Sequence, residues 1–207
     1  MTAELLVLDA MGVIFEAPDV VAEHLVPFAR ERGCGLAATT IRELYKRCST
    51  GELAVEQLWQ QLGVRQPQGA TQAYCELHRL TPGALEFLRW SREQGIPLAC
   101  LSNDVAAWSL SLRERHGLVP LIPYWVISGD VGSRKPDTAM FEALRRASGV
   151  PFDACVFVDD RRANLDAAAA LGMTPVAFGT VEAGLPHVEG FGDLTRLVAQ
   201  LFDLPRS

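Results

Sequence analysis

The sequence has no apolar run of about 18 residues, the length that a membrane-spanning helix needs. Its first ten residues, MTAELLVLDA, contain no basic region and no small-residue cleavage site, so we do not expect a signal peptide. Acidic residues outnumber basic ones, 25 to 19, and the formal net charge of −6 argues against a nucleic-acid partner bound through a basic face. We therefore expect a cytoplasmic protein that binds neither membranes nor nucleic acids.

The chain also lacks the cysteine and histidine patterns that hold structural zinc. Its five cysteines form no CxxC pair, and its four histidines are scattered along the sequence. Cys100 and Cys155 lie inside apolar runs, which predicts that they are buried as small hydrophobic residues. A structural zinc site is therefore not expected.

Short apolar runs separated by helical patterns indicate the fold class. Each run is too short for a helix and does not alternate with polar residues, which is typical of buried parallel strands. Strands that alternate with helices predict an α/β fold with a Rossmann-like parallel sheet. The five runs are 5–8, 97–101, 124–127, 155–158 and 175–178.

Residues 17–79 contain no convincing strand and are too long for a simple crossover between two strands. We expect them to form a small α-helical cap inserted after the first strand. The rest of the chain, residues 1–16 and 80–207, would form the α/β core, a division that 207 residues allow. The predicted helices of the insertion are 18–32, 39–48, 54–63 and 70–79.

Polar residues follow four of the predicted strands. In open α/β sheets, ligands bind beyond the carboxyl ends of the strands, so these side chains should meet at one edge. Together they offer a nucleophile, a hydroxyl group, a cation and a carboxylate pair. In chain order they are Asp9 after the first strand, Ser102 and Asn103 after the second, Lys135 after the third, and Asp159 and Asp160 after the fourth.

This set of groups suits phosphoryl transfer. Asp9 could attack phosphorus and form an aspartyl-phosphate that water then hydrolyses. Ser102 and nearby backbone N–H groups could bind phosphate oxygens at a helix N-terminus. Lys135 could offset phosphate charge in the transition state, and the carboxylates offer the hard oxygen ligands that Mg²⁺ prefers.

Four stretches of the chain resemble the motifs of the haloacid dehalogenase superfamily, in particular subfamily I with a C1-type helical cap. They are VLDAMGVIF, LACLSND, SGDVGSRKPDTAMFEAL and CVFVDDRRANLDAAAALGM. The resemblance implies that Asp9 is the nucleophile and that Ser102, Asn103 and Lys135 bind the phosphate. It also implies a Mg²⁺ site made by Asp9, Asp160 and the backbone carbonyl of Met11, with Asp159 as a ligand or as support.

Met11 departs from the family pattern, in which an aspartate two residues after the nucleophile moves protons. General acid–base help contributes typically about 10²–10⁴-fold, or about 3–5 kcal/mol of barrier. A leaving group of low pKa needs this help least. We therefore expect a phosphatase that favours acyl, aryl or anomeric sugar phosphates over simple alkyl phosphates, unless Met11 merely fills an apolar gap beneath the cap.

Two other functions fit parts of the sequence. The substitution at Met11 would also suit a catalytically impaired protein that binds a phosphorylated metabolite or another protein. A metal-independent 2-haloacid dehalogenase is the third alternative, although Asp159 and Asp160 would repel both its nucleophile and a carboxylate substrate. We expect a small phosphorylated substrate and a monomer or homodimer. The polar candidates for specificity in and beside the cap are Glu16, His24, Arg42, Lys46 and Arg47.

Overall fold

The computed structural model describes residues 3–65, 67–179 and 184–204. Its centre is a sheet of six parallel strands, which confirms the predicted Rossmann-like α/β fold. The strand order is β3-β2-β1-β4-β5-β6, so β1 lies between β2 and β4. The strands are β1 (Leu5–Leu8), β2 (Leu98–Ser102), β3 (Tyr124–Ile127), β4 (Cys155–Asp159), β5 (Thr174–Phe178) and β6 (His187–Val188).

Both faces of the sheet are buried, as the uninterrupted apolar runs predict. In β1, Leu6 and Leu8 face one hydrophobic cluster, whereas Leu5 and Val7 face another on the opposite side. The parallel register aligns Leu8 with Cys100 in β2 and with Val158 in β4. The carboxyl ends of these three strands therefore meet at one edge of the sheet. All five cysteines are buried, including Cys100 and Cys155 as predicted.

The helices outside residues 17–79 pack around the sheet. They are α5 (Ala84–Glu93), α6 (Ala106–Arg115), α7 (Ser128–Val131), α8 (Thr138–Ser148), α9 (Arg162–Ala170) and α10 (Phe191–Leu201). Helix α8 contacts β2 and β3, and α9 contacts β4 and β5. In the part of the chain that the structure describes, no helix is both long and apolar enough to cross a membrane.

Within residues 17–79 the described chain is helical and contributes no strand to the sheet. The chain leaves and re-enters the core side by side, because the Glu16 N–H donates to the Arg79 carbonyl and the Thr81 N–H donates to the Ile14 carbonyl. The division into core and cap domains at these points stays a prediction. The helices are α1 (Val26–Glu31), α2 (Ala38–Cys48), α3 (Val55–Gln61) and α4 (Ala70–Cys75).

The prediction of one continuous helix over residues 18–32 is wrong. The structure has a π-helical turn, Val21–Leu25, followed by the short α1. Pro27 explains the interruption, because proline has no N–H to donate to the carbonyl four residues earlier and its ring crowds that turn. A π-turn beside such a break leaves the chain helical while changing its hydrogen-bond pattern.

An aromatic cluster joins the helical segment to the core. The ring of Trp108 in α6 lies 5.4 Å from that of Trp59, 4.4 Å from that of Tyr74 and 6.1 Å from that of Tyr45. Trp108 is 1% exposed and Trp59 is 2% exposed. The two tryptophans therefore pack the interface, as expected for large aromatic side chains at a junction of helices.

His78 lies where the helical segment returns to the core and should make stability depend on pH. Its ring contacts Phe15, Tyr74 and His24, and burial together with nearby His24 lowers its pKa to about 4. The unfolded chain gains a proton on this group below about pH 6.5, whereas the folded chain does so only near its own pKa. The contribution of His78 to stability should therefore be full above that range and should fall, by about 3 kcal/mol, as the pH drops to the folded pKa.

We expect His78→Phe to flatten this slope, because phenylalanine keeps a ring in the same place and cannot be protonated. Urea unfolding at pH 4.5 and pH 7.5 measures the difference, and His187→Phe in β6 is the matched control. An unchanged slope in His78→Phe would show that other groups cause the loss of stability in acid.

Candidate active site

Four elements bring the candidate side chains to one edge of the sheet. Asp9 directly follows β1, Ser102 ends β2 and Asp159 ends β4. Lys135 lies in the loop between α7 and α8 and reaches back to the carboxylates at the ends of β1 and β4. The chain order of strands predicts this convergence, because parallel neighbours end at the same edge.

Lys135 joins two carboxylates inside the protein. Its Nζ lies 2.8 Å from Asp9 Oδ1 and 2.7 Å from Asp159 Oδ2, and its side chain is 1% exposed. Burial alone would lower the pKa of Lys135, but the two carboxylates outweigh burial and raise it above its ordinary value. The lysine is therefore held as a cation whose charge is shared between these two aspartates.

Asp159 is held by hydrogen bonds from three residues. It accepts hydrogen bonds from Lys135, from the Arg161 N–H at 2.8 Å and from Asn164 Nδ2, which lies 3.0 Å from each carboxylate oxygen. The side chain of Asn164 therefore orients the carboxylate. Asp166, a second polar residue of α9, instead forms an exposed ion pair with Arg162.

Asp9, Asp159 and Asp160 form a group that suits a divalent cation. One oxygen from each lies within 4.8 Å of the others. Burial, with repulsion from Asp159 and Asp160, raises the pKa of Asp9 to about 7, and burial with repulsion from Asp159 raises that of Asp160 to about 6. Lys135 pairs with Asp9 and Asp159, and Asp160 lies 3.9 Å from Arg161 Nε. The three carboxylates supply hard oxygen donors, which are the ligands that Mg²⁺ takes. The residues present therefore fit the metal that the sequence predicts.

Gly12 allows Asp160 to approach the loop after β1. Its φ angle is +87°, and a Cβ atom there would lie 2.6 Å from Asp160 Oδ2. Glycine is needed here for two reasons. Residues with a side chain disfavour this φ angle, and a Cβ atom would displace the Asp160 carboxylate. The neighbouring Met11 is 7% exposed and packs in the hydrophobic core. This burial agrees with the alternative interpretation, in which Met11 fills an apolar gap.

The hydroxyl group of Ser102 faces the site without a protein partner. It is buried, and its Oγ accepts and donates no hydrogen bond among the described residues. The side chain of Asn103, the next residue, binds the Lys135 backbone: its Nδ2 donates to the Lys135 carbonyl at 2.9 Å, and its Oδ1 accepts from the Lys135 N–H at 2.7 Å. The second N–H of Nδ2 and the backbone N–H are the donors of Asn103 that could contact phosphate.

We expect Ser102→Ala to leave the free energy of unfolding unchanged or to raise it by about 1 kcal/mol, because it removes a buried hydroxyl group that has no partner. Ser128→Ala is the matched control: Ser128 Oγ is also buried but donates to the carbonyls of Ser49 (2.5 Å) and Asp104 (3.1 Å). Its loss should cost about 1–3 kcal/mol. Urea unfolding measures both variants. Equal destabilisation of the two would show that Ser102 has an internal partner.

A cavity of about 110 Å³ opens beside these groups. Asp9, Met11, Ser102, Asn103 and Lys135 all line it, so the structure brings these predicted residues together. Their chemical roles stay predictions. Of the five polar candidates for specificity, Arg42 and Lys46 line the cavity, whereas the three others, Glu16, His24 and Arg47, are not among its lining residues.

The lining also includes residues that were not predicted, among them Tyr45, Arg134 and Arg161. Tyr45 Oη donates to the Asn103 carbonyl at 3.0 Å, and the Arg134 guanidinium lies 5.4 Å from the Tyr45 ring and donates to Ser49 Oγ. Arg134 directly precedes Lys135, and Arg161 directly follows Asp160. Their closeness to the motif residues in the sequence could have predicted that these two arginines lie at the site. Tyr45 lies far from every motif.

The model of the haloacid dehalogenase-like hydrolase family matches residues 8–172. The chain therefore belongs to this family. It is 32% identical over 142 residues to a phosphoglycolate phosphatase from Pseudomonas syringae pv. tomato, a stretch that covers 64% of this chain and 52% of that protein. It is 32% identical over 111 residues to a ribulose-1,5-bisphosphate 5-phosphatase from Halopiger xanaduensis, which covers 53% of this chain and 46% of that protein.

The chain thus spans about half the length of these curated relatives. Among solved structures, a variant of a HAD family enzyme from Bacteroides thetaiotaomicron in complex with magnesium and inorganic phosphate superposes with a TM-score of 0.70. The match is 17% identical and covers 88% of this chain and 95% of the other. At this identity the likeness concerns the fold.

Proposed function

We propose that the protein is a Mg²⁺-dependent phosphatase that hydrolyses a small phosphorylated metabolite through an aspartyl-phosphate. The observation that carries the proposal is that Asp9, Lys135 and the Ser102 hydroxyl group, which has no hydrogen-bond partner among the described residues, line one cavity. A nucleophilic carboxylate, a fixed cation and a free donor are the groups that a phosphoryl group needs. Residues 17–79 would act as a C1-type cap over this site.

The hydrogen bonds of Asp9 identify the attacking atom. Its Oδ1 accepts from Lys135 Nζ at 2.8 Å and from the Ala10 N–H at 2.7 Å. Oδ2 is therefore the oxygen left to attack phosphorus. It forms a new P–O bond as the bond from phosphorus to the ester oxygen breaks, and the departing alkoxide takes its proton from water. A water molecule then attacks the phosphorus of the aspartyl-phosphate, which releases inorganic phosphate and restores the carboxylate.

The other side chains bind and orient. Ser102 Oγ would donate to one phosphate oxygen. The ammonium group of Lys135, which pairs with the Asp9 carboxylate, would also pair with the phosphoryl group as it is transferred to Asp9. Mg²⁺ would be held by Asp9, Asp160 and the Met11 carbonyl, with Asp159 supporting them, and would supply charge neutralisation for phosphate oxygens. Asn103 and Asn164 keep Lys135 and Asp159 in place.

Met11 shapes the expected substrate preference, because a thioether cannot give a proton to the leaving group. Esters whose leaving groups have a low pKa should react fastest. The names of the curated relatives add phosphoglycolate and ribulose 1,5-bisphosphate to the compounds worth testing. Both are alkyl phosphates, so we expect the protein to hydrolyse them more slowly than aryl or acyl phosphates.

The test is phosphate release, with and without Mg²⁺, across phosphomonoesters graded by leaving-group pKa. We expect release that requires Mg²⁺ and a rate that falls steeply as the leaving-group pKa rises. A rate independent of leaving group would contradict the account of Met11 while leaving the phosphatase in place. No release from any ester, including p-nitrophenyl phosphate, would contradict the phosphatase itself.

The alternative is a protein that binds a phosphorylated metabolite without turning it over, which the buried, apolar setting of Met11 favours. Binding of the esters without release would support it. A metal-independent dehalogenase is disfavoured by the two further carboxylates beside Asp9, since a carboxylate substrate would add to their repulsion. Halide release from a 2-haloacid in the presence of EDTA would reverse that conclusion.

A further inference from the structure

Helix α2 presents one face to the cavity. Arg42, Tyr45 and Lys46 all line it, and their spacing of three and four residues places them on the same side of a helix. Tyr45 is 3% exposed and holds this face against the core through its hydrogen bond to the Asn103 carbonyl. The two cations therefore line the same cavity as Asp9, Ser102 and Lys135, the residues proposed to bind the phosphate.

Charge is distributed unevenly across the cavity. On the sheet side, Lys135 is neutralised by Asp9 and Asp159. On the side of α2, Arg42, Lys46 and Arg134 bring three positive charges, against which the lining on this side supplies one carboxylate, that of Asp19 paired with Arg42. In the described part of the chain, Arg134 forms no ion pair within 4.0 Å, and the partner of Lys46 is an exposed glutamate, Glu43, at 3.8 Å.

Arg42 is held in place while keeping donors available. Its Nη2 donates to Asp19 Oδ2 at 2.8 Å, and Asp19 also accepts from the Ala22 N–H at 3.1 Å. A guanidinium group has five N–H donors in a fixed plane, and Asp19 uses one nitrogen of the three. The remaining donors match the two oxygens of a second carboxylate or phosphate group.

We propose that the substrate carries a second anionic group in addition to the phosphate that is transferred, and that Arg42 binds this second group. The proposal rests on the proposed function and names the substrate class of the same site. Asp19 acts as the positioning residue that fixes the guanidinium plane.

Binding measured by calorimetry tests the proposal without relying on turnover, because Asp9→Asn removes the nucleophile. The first probe pair is 3-phosphooxypropanoate and its amide, which match in size and differ in one charge. The second pair is propane-1,3-diol bisphosphate and propyl phosphate. Each is titrated, with Mg²⁺ present, into Asp9→Asn, Asp9→Asn with Arg42→Gln, and Asp9→Asn with Arg47→Gln.

Arg47 is the matched control, because it lies on α2 outside the cavity and is paired with Glu52 at 4.0 Å. We expect Arg42→Gln to weaken the binding of a probe with two anionic groups by about 10-fold or more and to leave the binding of its partner, which carries the phosphate alone, unchanged. Arg47→Gln should change neither. The pair that shows the effect identifies the second group as a carboxylate or as a phosphate.

Equal weakening of both members of each pair, or no weakening in Arg42→Gln, would overturn the proposal. In the nucleophile-intact protein, loss of Arg42 should raise KM for the doubly anionic ester and leave kcat unchanged. Failure of the proposed function gives a different result: the wild-type protein releases no phosphate from any probe, whereas the calorimetric comparison still reports on Arg42.

Discussion

Asp9→Asn is expected to reduce Mg²⁺-dependent phosphate release by at least about 10³-fold, because the amide cannot act as the nucleophile that forms the acyl phosphate. The fold should remain, since Lys135 keeps its ion pair with Asp159 at 2.7 Å. The variant also removes a buried carboxylate whose pKa is raised to about 7, so it should not lower the free energy of unfolding at neutral pH. Phosphate release and urea unfolding measure the two effects.

Asp166→Asn is the matched control for this loss. Asp166 is exposed, pairs with Arg162 at 2.7 Å and lies in α9. The same chemical change there should leave phosphate release within about twofold of the wild-type rate, as expected for a surface ion pair. Activity that survives in Asp9→Asn would mean that a different residue is the nucleophile.

Met11→Asp should raise the rate of phosphate release from alkyl phosphates by about 10²-fold, the lower end of what general acid–base help supplies. Aryl phosphates should gain far less, because their leaving groups depart without a proton. Met11 lines the cavity beside Asp9, so an aspartate there lies beside the site of reaction. Burial and the three carboxylates nearby should hold the new acid in its protonated form, as a proton donor requires.

Met11→Asn distinguishes the effect of proton donation from the effect of a polar side chain at this position. Asparagine has nearly the same shape as aspartate but cannot donate a proton to the leaving group. We expect its alkyl phosphate rates to stay at the wild-type level. The ratio of rates for an alkyl and an aryl ester, measured in both variants and over pH, is the readout. Equal alkyl rates in the two variants would show that the site has rearranged around the methionine.

The sheet could be predicted because each long strand is a continuous apolar run. Leu5–Leu8 is buried on both faces, and nothing but a central strand explains such a run so close to a polar residue. The strand β6 could not be predicted, since two residues carry no periodicity. Helix α6 also escaped prediction: its buried face contains Ser109, whereas Leu110 is 43% exposed, so it has no apolar stripe.

The candidate site was predictable in part for a similar reason. Asp9, Ser102 and Asp159 are tied to strand ends, so their meeting follows from the order of the sheet. Tyr45 and Arg42 reach the cavity from a helix that lies elsewhere in the sequence, so Tyr45 was not predicted and Arg42 was predicted only as one of five polar candidates. Their placement depends on how α2 packs against the core, which is a tertiary contact that no local pattern encodes.

The packing of Trp108 restricts the motions through which the cavity can admit a substrate. Three aromatic rings from residues 17–79 cover this indole, and it is 1% exposed. Lifting the whole segment from the sheet would return the indole to water at a cost of about 5 kcal/mol. A rotation that keeps the rings stacked avoids this cost. We therefore expect any opening of the cavity to keep these aromatic rings in contact instead of lifting residues 17–79 from the sheet.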